Sequence, residues 1–206
     1  MQVQFFDSIK VVVPKDRIYS RLGYTQGKTE VTKEQRDNVE RCIEEATALI
    51  DLKGAALRVP ITTIEESQVK LFDGVVFQSK SLAEFFKGCE EVLFMAATGS
   101  SEIMEAIKKN AAGVDVTKGV IFDAVASEVV DSALGWIMDY FSYELRRENK
   151  LLTKNRFSAG YGDFALENQE VIYNALELKE LGVSLTKTYM LNPEKSVTAL
   201  AGIKRI

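Results

Sequence analysis

The chain has 206 residues, enough for one domain of ordinary size with a substantial core, and its 46% hydrophobic and 27% charged content is that of a globular protein in water. Lys and Arg total 26 against 30 Asp and Glu, a formal net charge of -4, which argues against nucleic acid or an anionic membrane as the main partner because both select clustered positive charge. Histidine is absent, which excludes Ser-His-Asp and Cys-His nucleophiles, His-ligated metals and imidazole acid–base chemistry, and leaves carboxylates, Arg, Lys, Tyr, backbone amides or a cofactor's own reactivity.

The N-terminus, MQVQFFDSIK, lacks the basic start and apolar core of a signal peptide, and no run of 18 apolar residues follows, so a cytoplasmic location without a membrane span is expected. Residues 3–13 read as two short strands around the polar Asp7-Ser8 turn. KDRIYSRL (15–22) reads as a short helix stopped by Gly23. Thr32 and Gln35 form a capping box for a second helix, whose apolar face carries Val39, Cys42, Ile43, Ala46, Leu49 and Ile50. ALRVPI (56–61) is rich in strand formers, and VKLF-DG-VVFQ (69–78) is a hairpin signal with Asp73-Gly74 at the turn. Ser81 and Glu84 form a second capping box ahead of a short helix. EVLFMAA (91–97) is a buried-type strand, followed by TGSS and the helix SEIMEAIKKN.

From about 117 to 149 the pattern is continuously helical, either the spine of the domain or a helix broken near Gly119. NQEVIYNALELKELG (168–182) reads as one amphipathic helix ending at Gly182, and two closing strands, SLTKTYML and SVTALAGI, flank Asn192-Pro193. No internal repeat or linker interrupts residues 1–206, which read as a single domain. A hairpin-bearing sheet with long helices and no regular βαβ alternation predicts an α+β fold. Cys42 and Cys89, far apart and without an export signal, read as free buried thiols, too few for structural zinc.

Two stretches could cradle a ligand. Strand–TGSS–helix (92–107) could hold an anion on backbone amides and the helix dipole, or Ser100 or Ser101 could merely cap the helix. It lacks both the Lys-Ser/Thr of a P-loop and the three-glycine dinucleotide spacing, which weighs against a conventional methyltransferase. In RFSAGYGDFALENQ (156–169), Gly160 and Gly162 bracket Tyr161, so the backbone can turn sharply and approach a flat ligand. Arg156 offers a fork for a carboxylate, and Asp163 a carboxylate for an ammonium or hydroxyl. Residue chemistry leaves a cradle for an amino-acid-bearing adenine ligand and a glycine-punctuated turn both open.

RFSAGYG resembles the Arg-x-x-x-Gly-Tyr motif of the activation domain of cobalamin-dependent methionine synthase, and MLNPEKSVTALAGI (190–203) resembles that family's Met-x-Pro-x-x-Ser-Val segment with one extra residue before the proline. KDRIYSRLGY and the charged helix after it look like short stand-alone relatives, so the resemblance covers nearly the whole chain. It implies a twisted, mainly antiparallel sheet with long helices packed around it. It also implies binding of S-adenosylmethionine beside a cobalamin carried by a partner methionine synthase subunit. One electron from a flavodoxin-type donor and the methyl group of S-adenosylmethionine would then restore oxidised cobalamin to its methylated state, chemistry that asks no acid, base or nucleophile of this chain. By the same resemblance, Arg156 would pair with the ligand's carboxylate, while Ser158, Ala159, Gly160 and Tyr161 would line the adenosine. A carboxylate from the long helix, Asp139 or alternatively Asp131, would complete the site. The family's motif continues Gly-Tyr-Pro where this chain has Gly-Tyr-Gly-Asp, and an acidic contact from the family's N-terminal part has no clear counterpart here. The competing expectation is an interaction or scaffold subunit of another corrinoid methyltransferase system that has lost the ligand.

Overall fold

The computed structural model describes residues 2–25, 29–30, 32–72 and 74–206. Strand β1 (Gln4–Phe6) pairs antiparallel with a later strand, not with the segment that follows it, so the hairpin expected over 3–13 does not form. Asp7-Ser8 lacks the positive-φ residue a two-residue hairpin turn demands. The chain runs on, with Ile9 buried and its amide bonded to Leu52 O. Helix α1 (Lys15–Arg21) stops before Gly23, whose φ of +86° is left-handed. Helix α2 (Lys33–Ala48) opens on the complete Thr32–Gln35 capping box and buries Val39, Cys42, Ile43 and Ala46; Leu49 and Ile50 fall beyond its end.

Strands β2 (Lys53–Ile64), β3 (Gln68–Leu71) and β4 (Val76–Gln78) form an antiparallel meander. Gly74 has φ +90° in the β3–β4 turn, and Asp73 lies outside the described residues. Helix α3 (Lys80–Phe85) is capped by Ser79, whose Oγ accepts from Leu82 N at 3.0 Å, two residues before the expected Ser81 cap. Then come β5 (Glu91–Thr98), α4 (Ser101–Lys109), a π-helical turn (Asn110–Val114) and α5 (Val116–Arg147).

The 32 residues of α5 are unbroken. Asp115 caps its start by accepting from Lys118 N, and Arg146 and Arg147 sit at its negative end. Gly119 is a packing residue rather than a break: a Cβ there would lie 3.0 Å from Ala111 N. Strand β6 (Lys150–Leu152) and helix α6 (Asn168–Ala175) follow. The helix expected over 168–182 is split, because Glu177 adopts φ +51° and only a 3-10 turn (Leu178–Leu181) continues to Gly182. The expected SLTKTYML strand is likewise reduced to the two-residue β7 (Ser184–Leu185), paired with β8 (Leu191–Asn192). Strand β9 (Ser196–Arg205) closes the chain.

The main sheet runs β4-β3-β2-β5-β9-β6 with β1 also on β2, every pairing antiparallel, as the α+β reading expects. Both faces are covered. On β5, Leu93, Met95 and Ala97 enter one core with α2, α4 and α5, while Val92, Phe94 and Ala96 enter another with α3 and α6. Strict side-chain alternation plus cover on both sides explains why EVLFMAA reads as a continuous apolar run. Each fully buried side chain of that size contributes about 1.5–3 kcal/mol by transfer from water. Cys42 and Cys89 are free and buried, and burial pushes both thiols above their usual range. Among the described residues, no helix is long and apolar enough to cross a membrane.

Candidate functional site

Residues 156–163 are fastened to the sheet before they turn. Phe157 and Leu200 of β9 exchange backbone hydrogen bonds at 2.8 and 2.7 Å, and Ser158 Oγ donates to Thr198 O at 2.8 Å. Phe157 packs its ring against Phe85 and Phe164, and the fully buried Phe164 also meets Phe77 edge-on at 5.2 Å. Between these anchors the chain reverses through Gly160 (φ +89°) and Gly162 (φ +58°). The amides of Gly160 and Tyr161 bond to Phe164 O and Ser158 O within the turn. The turn is thus a preformed surface, not the row of open amides its glycines suggest.

Asp163 belongs to this scaffold. Its carboxylate accepts from Ser79 Oγ at 2.6 Å, Lys80 N at 2.7 Å and Ser81 N at 3.1 Å, tying the loop to the start of α3. The Ser79 and Ser81 donors hold it well below the usual carboxylate range. It is therefore spoken for, which corrects the expectation of a carboxylate free for a ligand. Gly162 follows from the same junction: besides its left-handed φ, a Cβ there would lie 3.2 Å from Ser81 Oγ. Gly162-Asp163 thus gives the turn a docking point on α3.

Beside the turn lies a cleft of about 580 Å³, within the usual range for a small-molecule site. Arg156, Phe157, Ser158, Ala159 and Tyr161 form one wall; Met190, Leu191, Ser196, Val197 and Thr198 form another, with Asp131 and Leu134 of α5 and Leu166 and Gln169 completing it. Two segments with 28 residues between them in sequence (162–189) thus face each other across one space, joined by the Phe157–Leu200 bridge. Tyr189, a non-glycine residue at φ +61°, turns Met190 toward the cleft. Tyr161 and Met190 are 69% and 56% exposed, so a ligand here would find an aromatic face and a thioether at the rim.

Arg156 makes a 2.5 Å ion pair with Asp131, which is also held by Arg17 at 2.9 Å. Both lie at the mouth, with side chains 27% and 35% exposed. Of the residues singled out from sequence, Arg156, Ser158, Ala159 and Tyr161 line the cleft. Gly160 shapes the turn without lining it, and Asp139 is exposed on α5 and does not line it. Eight residues along a helix carry a side chain about 12 Å down the axis and roughly 80° around it, which separates Asp139 from the position Asp131 holds.

Sequence reasoning missed Gln169 and Thr198. Both are buried at the cleft, where Thr198 Oγ1 donates to Gln169 Oε1 at 2.9 Å. Gln169 Nε2 has no hydrogen-bond partner and is alone in this among the buried side-chain polar atoms described. A signal existed. Gln169 stands at i, i+3, i+7 spacing with the buried Ile172 and Leu176, a polar residue on a core-facing stripe.

The TGSS turn borders a larger cleft of about 890 Å³, and the turn's own hydroxyls are bonded within the protein. Ser100 Oγ donates to Leu49 O at 2.5 Å, tying the turn to the end of α2. Glu102 in the first turn of α4 is held below the usual carboxylate range, first by its own backbone amide. Among the described residues, no group of three or more Cys, Asp or Glu side chains is placed to hold a metal ion.

Among solved structures, the chain is similar to the crystal structure of the MetH reactivation domain bound to AdoHcy, with a TM-score of 0.69 at 14% identity, over 98% of this chain and 78% of that one. The likeness shows a shared fold. No family model and no curated protein matches the sequence.

Proposed function

We propose that the chain is an S-adenosylmethionine-binding module for the reductive reactivation of cobalamin, acting in trans on a cobalamin-dependent methionine synthase subunit that receives its electron from a flavodoxin-type donor. The observation that carries the reading is the joining of Arg156–Tyr161 and Met190–Thr198 in one cleft of small-molecule size, on a fold whose solved neighbour holds S-adenosylhomocysteine. The residues suit such a ligand. An aromatic face and apolar walls accept the nucleoside, an Arg–Asp pair at the mouth matches an amino acid's carboxylate and ammonium, and a buried amide donor still needs an acceptor.

Arg156 binds the ligand's carboxylate with the fork edge that Asp131 leaves free. Asp131, rather than Asp139, supplies the acidic contact from the long helix. Ser158 and Ala159 form the wall beneath the nucleoside, Gly160 sets the turn that presents it, and Tyr161 covers it from the solvent side. When bound, S-adenosylmethionine supplies the methyl group and the partner's cobalamin the metal centre. This chain binds, orients and excludes water.

Titration calorimetry with S-adenosylmethionine and S-adenosylhomocysteine tests the binding. A second assay adds the chain to an oxidised methionine synthase lacking its own activation domain, with S-adenosylmethionine and a reduced flavodoxin-type donor. Turnover should return only when the chain is present. Absence of binding with and without the partner would sink the reading and leave the scaffold role.

A further inference from the structure

The orphaned amide gives the site a direction. We infer that Gln169 reads the base of the bound nucleoside, its Nε2 donating a hydrogen bond to an unprotonated ring nitrogen of adenine at the floor of the cleft. The inference rests on the proposed S-adenosylmethionine site and adds the residue that fixes which end of the ligand goes deepest.

Gln169 and Thr198 are 5% and 3% exposed, far drier than the Asp131–Arg156 pair at the mouth. A sulfonium, ammonium or carboxylate carried to that floor would meet no opposite charge, which is costly in a dry site, so the charged end of the ligand stays at the mouth and the neutral base enters. The Thr198 hydroxyl fixes the rotation of the Gln169 amide by occupying Oε1, and the Nε2 of this cleft-lining residue is left buried without a partner. A buried amide donor without a partner is a cost that native proteins rarely leave in place, and an acceptor on the ligand would remove it. The donor also discriminates: adenine presents unprotonated ring nitrogens, whereas a base carrying N–H at that position would set donor against donor.

Calorimetry with S-adenosylhomocysteine and its 1-deaza, 3-deaza and 7-deaza analogues, in which one ring nitrogen becomes C–H, tests the idea on the unaltered protein. One analogue should bind about tenfold more weakly than the parent, the loss of one buried hydrogen bond. Gln169→Met, nearly isosteric, should bind the parent about tenfold more weakly and no longer distinguish that analogue. Equal binding of all analogues by wild type, or unchanged discrimination by Gln169→Met, overturns the inference. Failure of wild type to bind S-adenosylhomocysteine is the separate result that removes the whole site and this inference with it. Were Gln169→Met to misfold by circular dichroism, the analogue series on wild type decides alone.

Discussion

The turns at 98–101 and 156–163 share a description, small residues and glycine ahead of a helix, and differ in what surrounds them. At the first, Ser100 is bonded to the end of α2, Thr98 to Gly99 O and Ser101 to Glu102, so the turn's hydroxyls are satisfied within the protein. At the second, Asp163 and Ser158 do the satisfying from behind, on the side of α3 and β9, while the other side keeps an exposed Tyr161, an arginine at the mouth and an orphaned amide donor. The first turn has its hydroxyls closed off, while the cleft beside the second keeps a buried donor without a partner. Cleft size follows from how elements splay apart; ligand chemistry follows from donors and charges left without internal partners.

The largest expected effect separates the turns by binding. Arg156→Ala should weaken S-adenosylhomocysteine binding by about 1.5–3 kcal/mol, the range for a charged hydrogen bond, while Ser100→Ala leaves it unchanged; calorimetry on both variants decides. Next, the glycines should differ in stability. Gly162→Ala forces a side chain into φ +58° against Ser81 and should cost about 1–2 kcal/mol in denaturant unfolding. Gly99→Ala, without a left-handed φ and with Val130 Cγ2 3.3 Å from the new Cβ, should cost about 0.5–1 kcal/mol.

A smaller effect concerns pH. The folded-state pKa of Asp163 is depressed, so its contribution is present above the unfolded value of about 3.9 and is lost as pH falls toward the folded one. Glu148, held at about 2 by Arg58 and then Lys150, loses its contribution in the same direction from about 4.3 downward. Thermal melts of wild type should therefore drop in Tm as the pH is lowered below about 4.5, and Asp163→Asn should drop less steeply from a lower start. Smallest is Asp139→Ala, an exposed position away from the cleft, which should change stability by less than about 0.5 kcal/mol and leave binding untouched. Asp131→Ala should weaken binding severalfold by removing the carboxylate that the proposed site offers the ligand's ammonium.

Where local chemistry decides the structure, the sequence is readable. The Thr32–Gln35 box, Gly23 and Gly74 at left-handed positions, and the doubly buried β5 run all behave as their residues dictate. Where a distant partner decides, it is not. Nothing in Glu177 announces φ +51°, and at α3 Ser79 rather than Ser81 is the cap, with Asp163, 82 residues beyond Ser81, accepting from the Lys80 and Ser81 amides. The site divides in the same way. Arg156 to Tyr161 and Met190 to Val197 stand out as motifs, whereas Asp131 over Asp139 depends on how α5 lies over β9. Gln169 becomes visible only once Ile172 and Leu176 are known to face the core.

The central claim is that the 156–163 turn, and not the 98–101 turn, carries the ligand. Titrating S-adenosylhomocysteine into isotopically labelled protein and following amide resonances tests it most directly. The account predicts shifts concentrated at residues 156–161, 169 and 196–198, with 98–102 unmoved. Shifts centred on 98–102, or none at saturating ligand, would contradict it.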